Sequence, residues 1–533
     1  MVRLSLLVVL LTGLLATPVS AQDFAPADTH EMYAGRSFFV VDMDGSFRTR
    51  AELWHNVHMG LAPVPNRYGV YPQLSGPDGT RAGTDFRLHL APTIHVGEMA
   101  DIFTVVDLFN VMAGEGGYSD LALTMHQADQ VSLPGSADSI LATAAVRGMW
   151  AQVRLLNVVA LQAGRIPEHW GMGLVENDGR AIDSDGGDYI DGISLRSMAL
   201  PLGLQASISW DFPLQGRQVE SAFAPWGVGY DPGDWDDIQQ WRFKVQIAPP
   251  ADSNGNYWAA GVYNRLRFQD FSSLGSQSPY EECQLYSWAP GFGCNEMFWR
   301  DAFIWTPDIW FKAGLVLAPD ILLKVELEVA GRYGSMANTR YVQEKMERNL
   351  QGIGGVLRAE IETPGWSAGV EVGGASGDAD SLAFGILDAP TLGEPDSVAG
   401  GQASELQDSA LTSFVLHPGY TVDQILFRRV IGAVTNAWYV KPSTHIEFWR
   451  RGPSAAWLEA SALYGAAFVA SATPGEESPL GVEGQLGLGA RFGEHVETRL
   501  DGALLVPLAG LKNGSSLSDP LPWTTRLLLN FSF

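Results

Sequence analysis

Asp183-Ser184-Asp185-Gly186-Gly187-Asp188, with Asp191 just beyond, is the stretch of this chain best equipped to hold a metal ion. Hard carboxylate oxygens around a flexible glycine pair suit calcium. The spacing departs from the helix-flanked calcium loop: no glutamate stands at the twelfth position and no flanking helix is predicted. A turn whose Asp side chains accept hydrogen bonds from their own backbone uses the same residues. Both readings stay open. Calcium in 166–188 is the only cofactor suggested, and none is required. At the start of this loop Arg165 and Trp170 flank Pro167. Folded inward, the loop would narrow a lumen and offer the indole as a stacking surface for a sugar. Facing out, Trp170 would join an interfacial aromatic belt.

Signs of catalysis are few. Gly365-Trp366-Ser367-Ala368-Gly369 has the G-x-S-x-G pattern but falls in a predicted hairpin, where no nucleophile elbow can form. There is no H-E-x-x-H, Walker or zinc spacing. His89 and His95 share one predicted strand without forming a constellation. No enzyme is expected. Cys283 and Cys294, the two cysteines, are expected to pair in an oxidising compartment. A net charge of −26 argues against nucleic acid as a partner.

The elements that carry these residues alternate with period two. In "FRTRAELW" Phe47, Thr49, Ala51 and Leu53 oppose Arg48, Arg50, Glu52 and Trp54. "QWRFKVQI" (240–247), "LLKVELEVA" (322–330) and "VETRLDGAL" (496–504) repeat the arrangement, as strands with one apolar and one wet face do. About 18 such strands are predicted between 46 and 533. Links after even-numbered strands are tiny (Gly97-Glu98, Asn157, Pro364-Gly365, Gly493-Glu494). Those after odd-numbered strands are long (55–84, 112–143, 166–188, 213–237, 269–301, 377–433). That asymmetry predicts an all-β transmembrane antiparallel β-barrel with short periplasmic turns and long extracellular loops. The final stretch, "TTRLLLNFSF", would close the barrel against the first strand.

A barrel of this size leaves an aqueous lumen. Its expected wall mixes signs: Arg48, Arg50, Arg154, Arg242, Lys244, Arg265, Arg267, Lys324, Arg358, Arg499 and Arg526 against Glu52, Glu326, Glu328, Glu360, Glu362, Glu483, Glu497 and Asp501. These charges would either stiffen the wall as ion pairs or set a field that selects polar solutes. From Gly377 to Ala410 the longest insertion holds seven acids and no Lys or Arg. It reads as a solvated loop, or as one that gathers cations at the mouth. Beyond it, "VDQILFRRVIGAV" spaces Val422, Ile425, Leu426, Val430 and Ile431 along one helical face, with Arg428 and Arg429 near its end. A short helix over 422–432, packed into the lumen as a constriction, is the expectation.

At the other terminus Arg3, the run "LSLLVVLLTGLLA" and Val19-Ser20-Ala21 read as an export signal over 1–21. Residues 22–45 are expected to form an N-terminal periplasmic segment, and 46–533 a single barrel with 377–433 inserted.

Four segments, "GRIPEHWGMGLVENDG" (164–179) with "DSDGGDYID" (183–191), "TPDIWFKAG" (306–314), "GGASGDAD" (373–380) and "ILFRRVIGAVTNAWYVKP" (425–442), resemble an uncharacterised family of deltaproteobacterial outer-membrane barrel proteins. The resemblance runs from about residue 84 to the end. It implies the barrel and names no substrate. The expected function is a porin-like outer-membrane channel for passive diffusion of small hydrophilic solutes. The expected partners are the lipid bilayer, lipopolysaccharide, the barrel assembly machinery and small polar solutes. The alternative is a non-conducting surface barrel whose acidic loops bind a partner or matrix component.

Overall fold

A computed structural model describes residues 39–57, 79–112 (except 98), 144–184 (except 156–157), 187–214 (except 199), 238–273, 297–336, 348–382 (except 380), 387–388, 410–512 and 521–533. Alternating sequence becomes strand throughout. The first nine are β1 (Phe39–His55), β2 (Thr80–Val96), β3 (Ala100–Met112), β4 (Ala144–Leu155), β5 (Val159–Glu168), β6 (Asp188–Ser197), β7 (Leu204–Leu214), β8 (Ile238–Ile247) and β9 (Tyr257–Ser273). There follow β10 (Met297–Ala318), β11 (Ile321–Met336), β12 (Arg348–Thr363), β13 (Trp366–Ala375), β14 (Ala437–Arg451), β15 (Ser454–Ala467), β16 (Pro479–Phe492), β17 (Val496–Pro507) and β18 (Trp523–Ser532). Each pairs antiparallel with its sequence neighbours. A two-residue piece, Ala410–Leu411, extends the sheet beside β12 where β13 has ended.

The ring is closed. β1 pairs with β18 from Ser46↔Ser532 to His55↔Trp523, and Phe533 exchanges backbone hydrogen bonds with Gly45 at 2.9 and 3.0 Å. Among the described residues the 18 long strands form a closed ring, and the terminal Phe is held in the ladder. β1 begins at Phe39, so the stretch 39–45 assigned above to a separate N-terminal segment belongs to the barrel wall.

Polarity is inverted relative to a water-soluble domain. Outward positions carry exposed Leu, Ile, Val and Phe, such as Leu195, Phe243, Ile309, Leu357, Leu486 and Leu527. Inward positions carry buried Arg48, Asp101, Asp211, Arg242, Glu328, Glu483 and Arg526. Aromatics gather at both ends of the outer face. Trp210–Trp241, Phe268–Phe303 and Trp305–Tyr333 form pairs at the long-loop end, with Trp366, Phe492 and Phe531 at the short-turn end. Cys283, Cys294 and most of the acidic stretch 377–410 lie outside the described residues.

Candidate functional site: two loops folded into the lumen

The loop after β5 turns inward at once. Trp170 is fully buried against the β9–β10 wall: its Nε1–H donates to Asp308 Oδ1 at 3.0 Å, and its ring lies 5.6 Å from Tyr263 and 6.5 Å from Trp310. Gly261 on β9 makes room, since a Cβ there would meet the indole. Gly171 (φ +54°) takes the left-handed turn that presents the next amides to Glu328; a side chain would strike that carboxylate. Glu328 then accepts the Met172 and Leu174 N–H groups. Deeper in the loop Glu176 accepts from Tyr263 Oη and stands 3.6 Å from Arg265 and 3.5 Å from Arg242. Arg242 also binds Asp211 and Glu168, and Lys244 donates to Glu168 at 2.8 Å. Buried charges gathered this way are tolerable because each is paired.

The second inserted loop, 412–436, packs beside the first. His417 N–H donates to Leu174 O at 2.7 Å, and its Nε2 lies 3.2 Å from Asp188. Arg358 donates to Tyr420 Oη at 3.1 Å and to Glu371 at 2.7 Å. The helix expected over 422–432 is one wide turn, Leu426–Ile431, with Val430 N–H reaching back to Ile425 O at 2.9 Å and Gly432 (φ 94°) ending it. It is shorter than its apolar pattern because carboxylates take the amides a longer helix would use. Glu483 of β16 accepts the Gln424 and Leu426 N–H groups at 2.9 and 2.8 Å, and Asp423 accepts those of Phe427 and Arg428. Ile425, Leu426 and Ile431 join a buried cluster with Tyr439, Leu463, Leu480 and Leu505. Burial pushes the Asp423 carboxyl up to about 6 against the pull of those amides.

The loops meet at Asp183. Arg50 of β1 donates to it at 3.1 Å, and Arg428 and Arg526 of β18 complete a three-guanidinium cage. Burial works to raise this carboxyl, but Arg428, Arg526 and Arg50 together hold it far below the usual carboxylate range. Next to it Ser184 O accepts from Arg48 and Arg87 at 2.8 and 2.7 Å. Arg429 pairs with Glu52 and lies over the Trp54 ring at 5.3 Å.

Arg48, Arg50, Arg242, Lys244, Arg265, Glu328, Arg358, Arg428 and Arg429 therefore stand inside the barrel on or beside the loops. Arg267 is inward too, donating to Gln240 at 2.9 Å. Glu326 accepts from Trp310 Nε1 at 3.0 Å, and Glu360 faces the lumen opposite Lys324 in register. Arg165 does not line the lumen. Along β5 the inward phase is Ala160, Gln162, Ile166 and Glu168, which leaves Arg165 on the outer face, half-exposed, in a two-bond pair with Asp191 at 2.8 and 2.7 Å. Trp170 does point inward, but its ring is sealed and offers no stacking surface.

Among the described residues the carboxylates offered for calcium have other partners. Asp183 sits in a cage of cations that would repel a metal ion. Asp188 faces His417 and the Asn177 amide, and Asp191 faces outward to Arg165. Asp185 lies outside the described residues, and among those described no three His, Cys, Asp or Glu converge. Sequence reading missed Glu168, Glu176, Asp308 and Asp423. Asp308 shares the inward phase of Thr306 and Trp310, and Asp423 stands where a helix cap belongs, so both carried a signal. Glu176 lies in a loop with no period to place it.

No family model and no curated protein matches the chain. Among solved structures it is similar to OccAB2 of Acinetobacter baumannii (10% identity, 92% of this chain and 98% of that one, TM-score 0.46). It is also similar to a BenF-like porin from Pseudomonas fluorescens Pf-5 (11%, 92% and 98%, 0.45) and to OccK9 (OpdG) of Pseudomonas aeruginosa (12%, 92% and 98%, 0.47).

Proposed function

We propose that this protein is a porin-like channel of the outer membrane, passing small hydrophilic solutes by passive diffusion through a lumen narrowed by 169–184 and 412–436. One observation carries the reading: beyond the loops the inward wall keeps charged side chains accessible, with Lys324 and Glu362 each more than a third exposed. A barrel filled for rigidity alone would bury such groups in complete pairs. The outer apolar belt between aromatic ends has the form lipid requires. In this reading the short turns face the periplasm, the long loops face outward among lipopolysaccharide, and residues 1–21 direct export before the assembly machinery inserts the barrel. The deltaproteobacterial resemblance is part of the same proposal, since its segments 164–179, 306–314 and 425–442 contribute to the two loops and the wall behind them. Purified protein in planar bilayers should give discrete conductance steps. A membrane that stays sealed at high protein density would refute the proposal.

A further inference from the structure

We propose that the hairpin end at Arg451, Gly452 and Pro453, with Arg491 beside it, is a docking surface for an anionic membrane phospholipid, whose phosphate the two arginines hold; this rests on the orientation in the reading above. The other short turns are acidic or uncharged. They hold Glu98, Asp252, Asp320 and Glu494, and none has a Lys or Arg in the turn or in the strand residue on either side. In a chain of net charge −26 a cationic tip stands out as a place for an anion.

Strand phase aims the tip at the membrane. A register shift between Glu447 and Trp449 interrupts the alternation of β14, and Phe448 and Trp449 both emerge, 61% and 45% exposed. Trp449 pairs with Ala456 and Arg451 with Ser454, so Arg451 keeps the outward phase of Trp449. Two residues of strand carry it about 7 Å further out. Trp366 and Phe492, also exposed, stand on β13 and β16 to either side of the hairpin. Indole rings settle where hydrocarbon meets headgroups. One step beyond them is the depth of lipid phosphate.

Two of the cations there are uncompensated. Arg450, in the other phase, donates to Glu447 from Nε at 2.5 Å. Arg451 and Arg491 are exposed, and among the described residues neither has a carboxylate in ion-pair range. Glu497 lies across the ladder from Arg491 and makes no ion pair with it. Arg491 instead donates from Nε to Pro453 O at 3.2 Å, which brings the second guanidinium to the tip. Gly452 makes the turn at φ +61°, and open space surrounds the place a Cβ would take. Guanidiniums hold phosphate oxygens through paired N–H bonds. The cations and the exposed rings together select a lipid, with its phosphate on the arginines and the start of its chains against Phe448 and Trp449. An acidic protein would use the arginines alone.

The test counts the lipid kept by the folded barrel in detergent, by native mass spectrometry, after adding phosphatidylglycerol or zwitterionic phosphatidylethanolamine. Wild type should retain several-fold more phosphatidylglycerol, and that excess should shrink as salt is raised. Arg451→Gln/Arg491→Gln should lose most of the excess, and Arg451→Lys/Arg491→Lys should keep part of it. Arg165→Gln, on the outer face at the opposite end, should match wild type. A heat-resistant folded band on gels checks that each variant is intact. Equal retention of the two lipids by wild type, or an excess untouched in Arg451→Gln/Arg491→Gln, would overturn the proposal. So would full displacement of the lipid by inorganic phosphate, the mark of a site that needs no membrane. The assay needs no current. A sealed barrel that still prefers the anionic lipid would sink only the channel reading, and a conducting barrel indifferent to headgroup would sink only this one.

Discussion

Replacing Asp183 with alanine should loosen both inserted loops together, and the structure sets the size of the effect. Three guanidiniums lose a partner, but Arg50 keeps Asp85 at 2.7 Å and Arg526 keeps Asp501 at 2.8 Å. Only Arg428 is left without a carboxylate in ion-pair range among the described residues. Stranding one fully buried charge costs about 3–5 kcal/mol. The Arg428 side chain is 14% exposed rather than fully buried, so about 2 kcal/mol is the expectation. Removing Arg428 as well takes away the stranded charge, so the double variant Asp183→Ala/Arg428→Ala should be less destabilised than the sum of its parts. Melting in detergent, followed as loss of the heat-resistant folded band on gels, reads the stability. Current noise in bilayers reads the loops. If Asp183→Ala melts and conducts like wild type, the cage is ornamental and the account of the constriction fails.

Trp170→Ala should cost about 3–5 kcal/mol, as truncation of a buried large aromatic does, and should raise single-channel conductance by freeing the loop's first turn. Asp183 is held below the ordinary carboxylate range, so its stabilisation is complete above about pH 4 and is lost only as pH falls through its lower folded value. Conductance should therefore not rise between pH 7 and pH 4, and a current that widens between them would refute the cage. The sign is opposite for Asp423, whose folded value is raised: its contribution is present at low pH and lost as pH rises through about 6. Asp423→Asn should accordingly flatten any gain in melting temperature between pH 7 and pH 5.

The barrel was legible because its signal is local and repeated. Alternation in "LLKVELEVA" fixes which residues face in, and the parity of short and long links fixes the topology. The lumen residues Arg48, Arg242 and Glu328 followed from that parity alone. Arg165 was misplaced because it was read as part of a loop, although the phase of β5 carries through Ile166 and Glu168 and turns it out. The partners of Asp183 were hidden for a different reason. The cations around Asp183 come from residues 50, 428 and 526, and no local pattern announces a partner hundreds of positions away. The turn at Leu426–Ile431 was half visible: its apolar face showed, while the acceptor that shortens it, Glu483, sits on a distant strand.

The ladder between β1 and β18 is the one joint in the ring that sequence neighbours do not make. Every other pair of adjacent strands is close in sequence, whereas this seam joins the first described strand to the last. Asp183 bonds one arginine on each side of it, Arg50 and Arg526, from within. The loop after β5 thus acts as an internal rivet across the place where the cylinder would come apart.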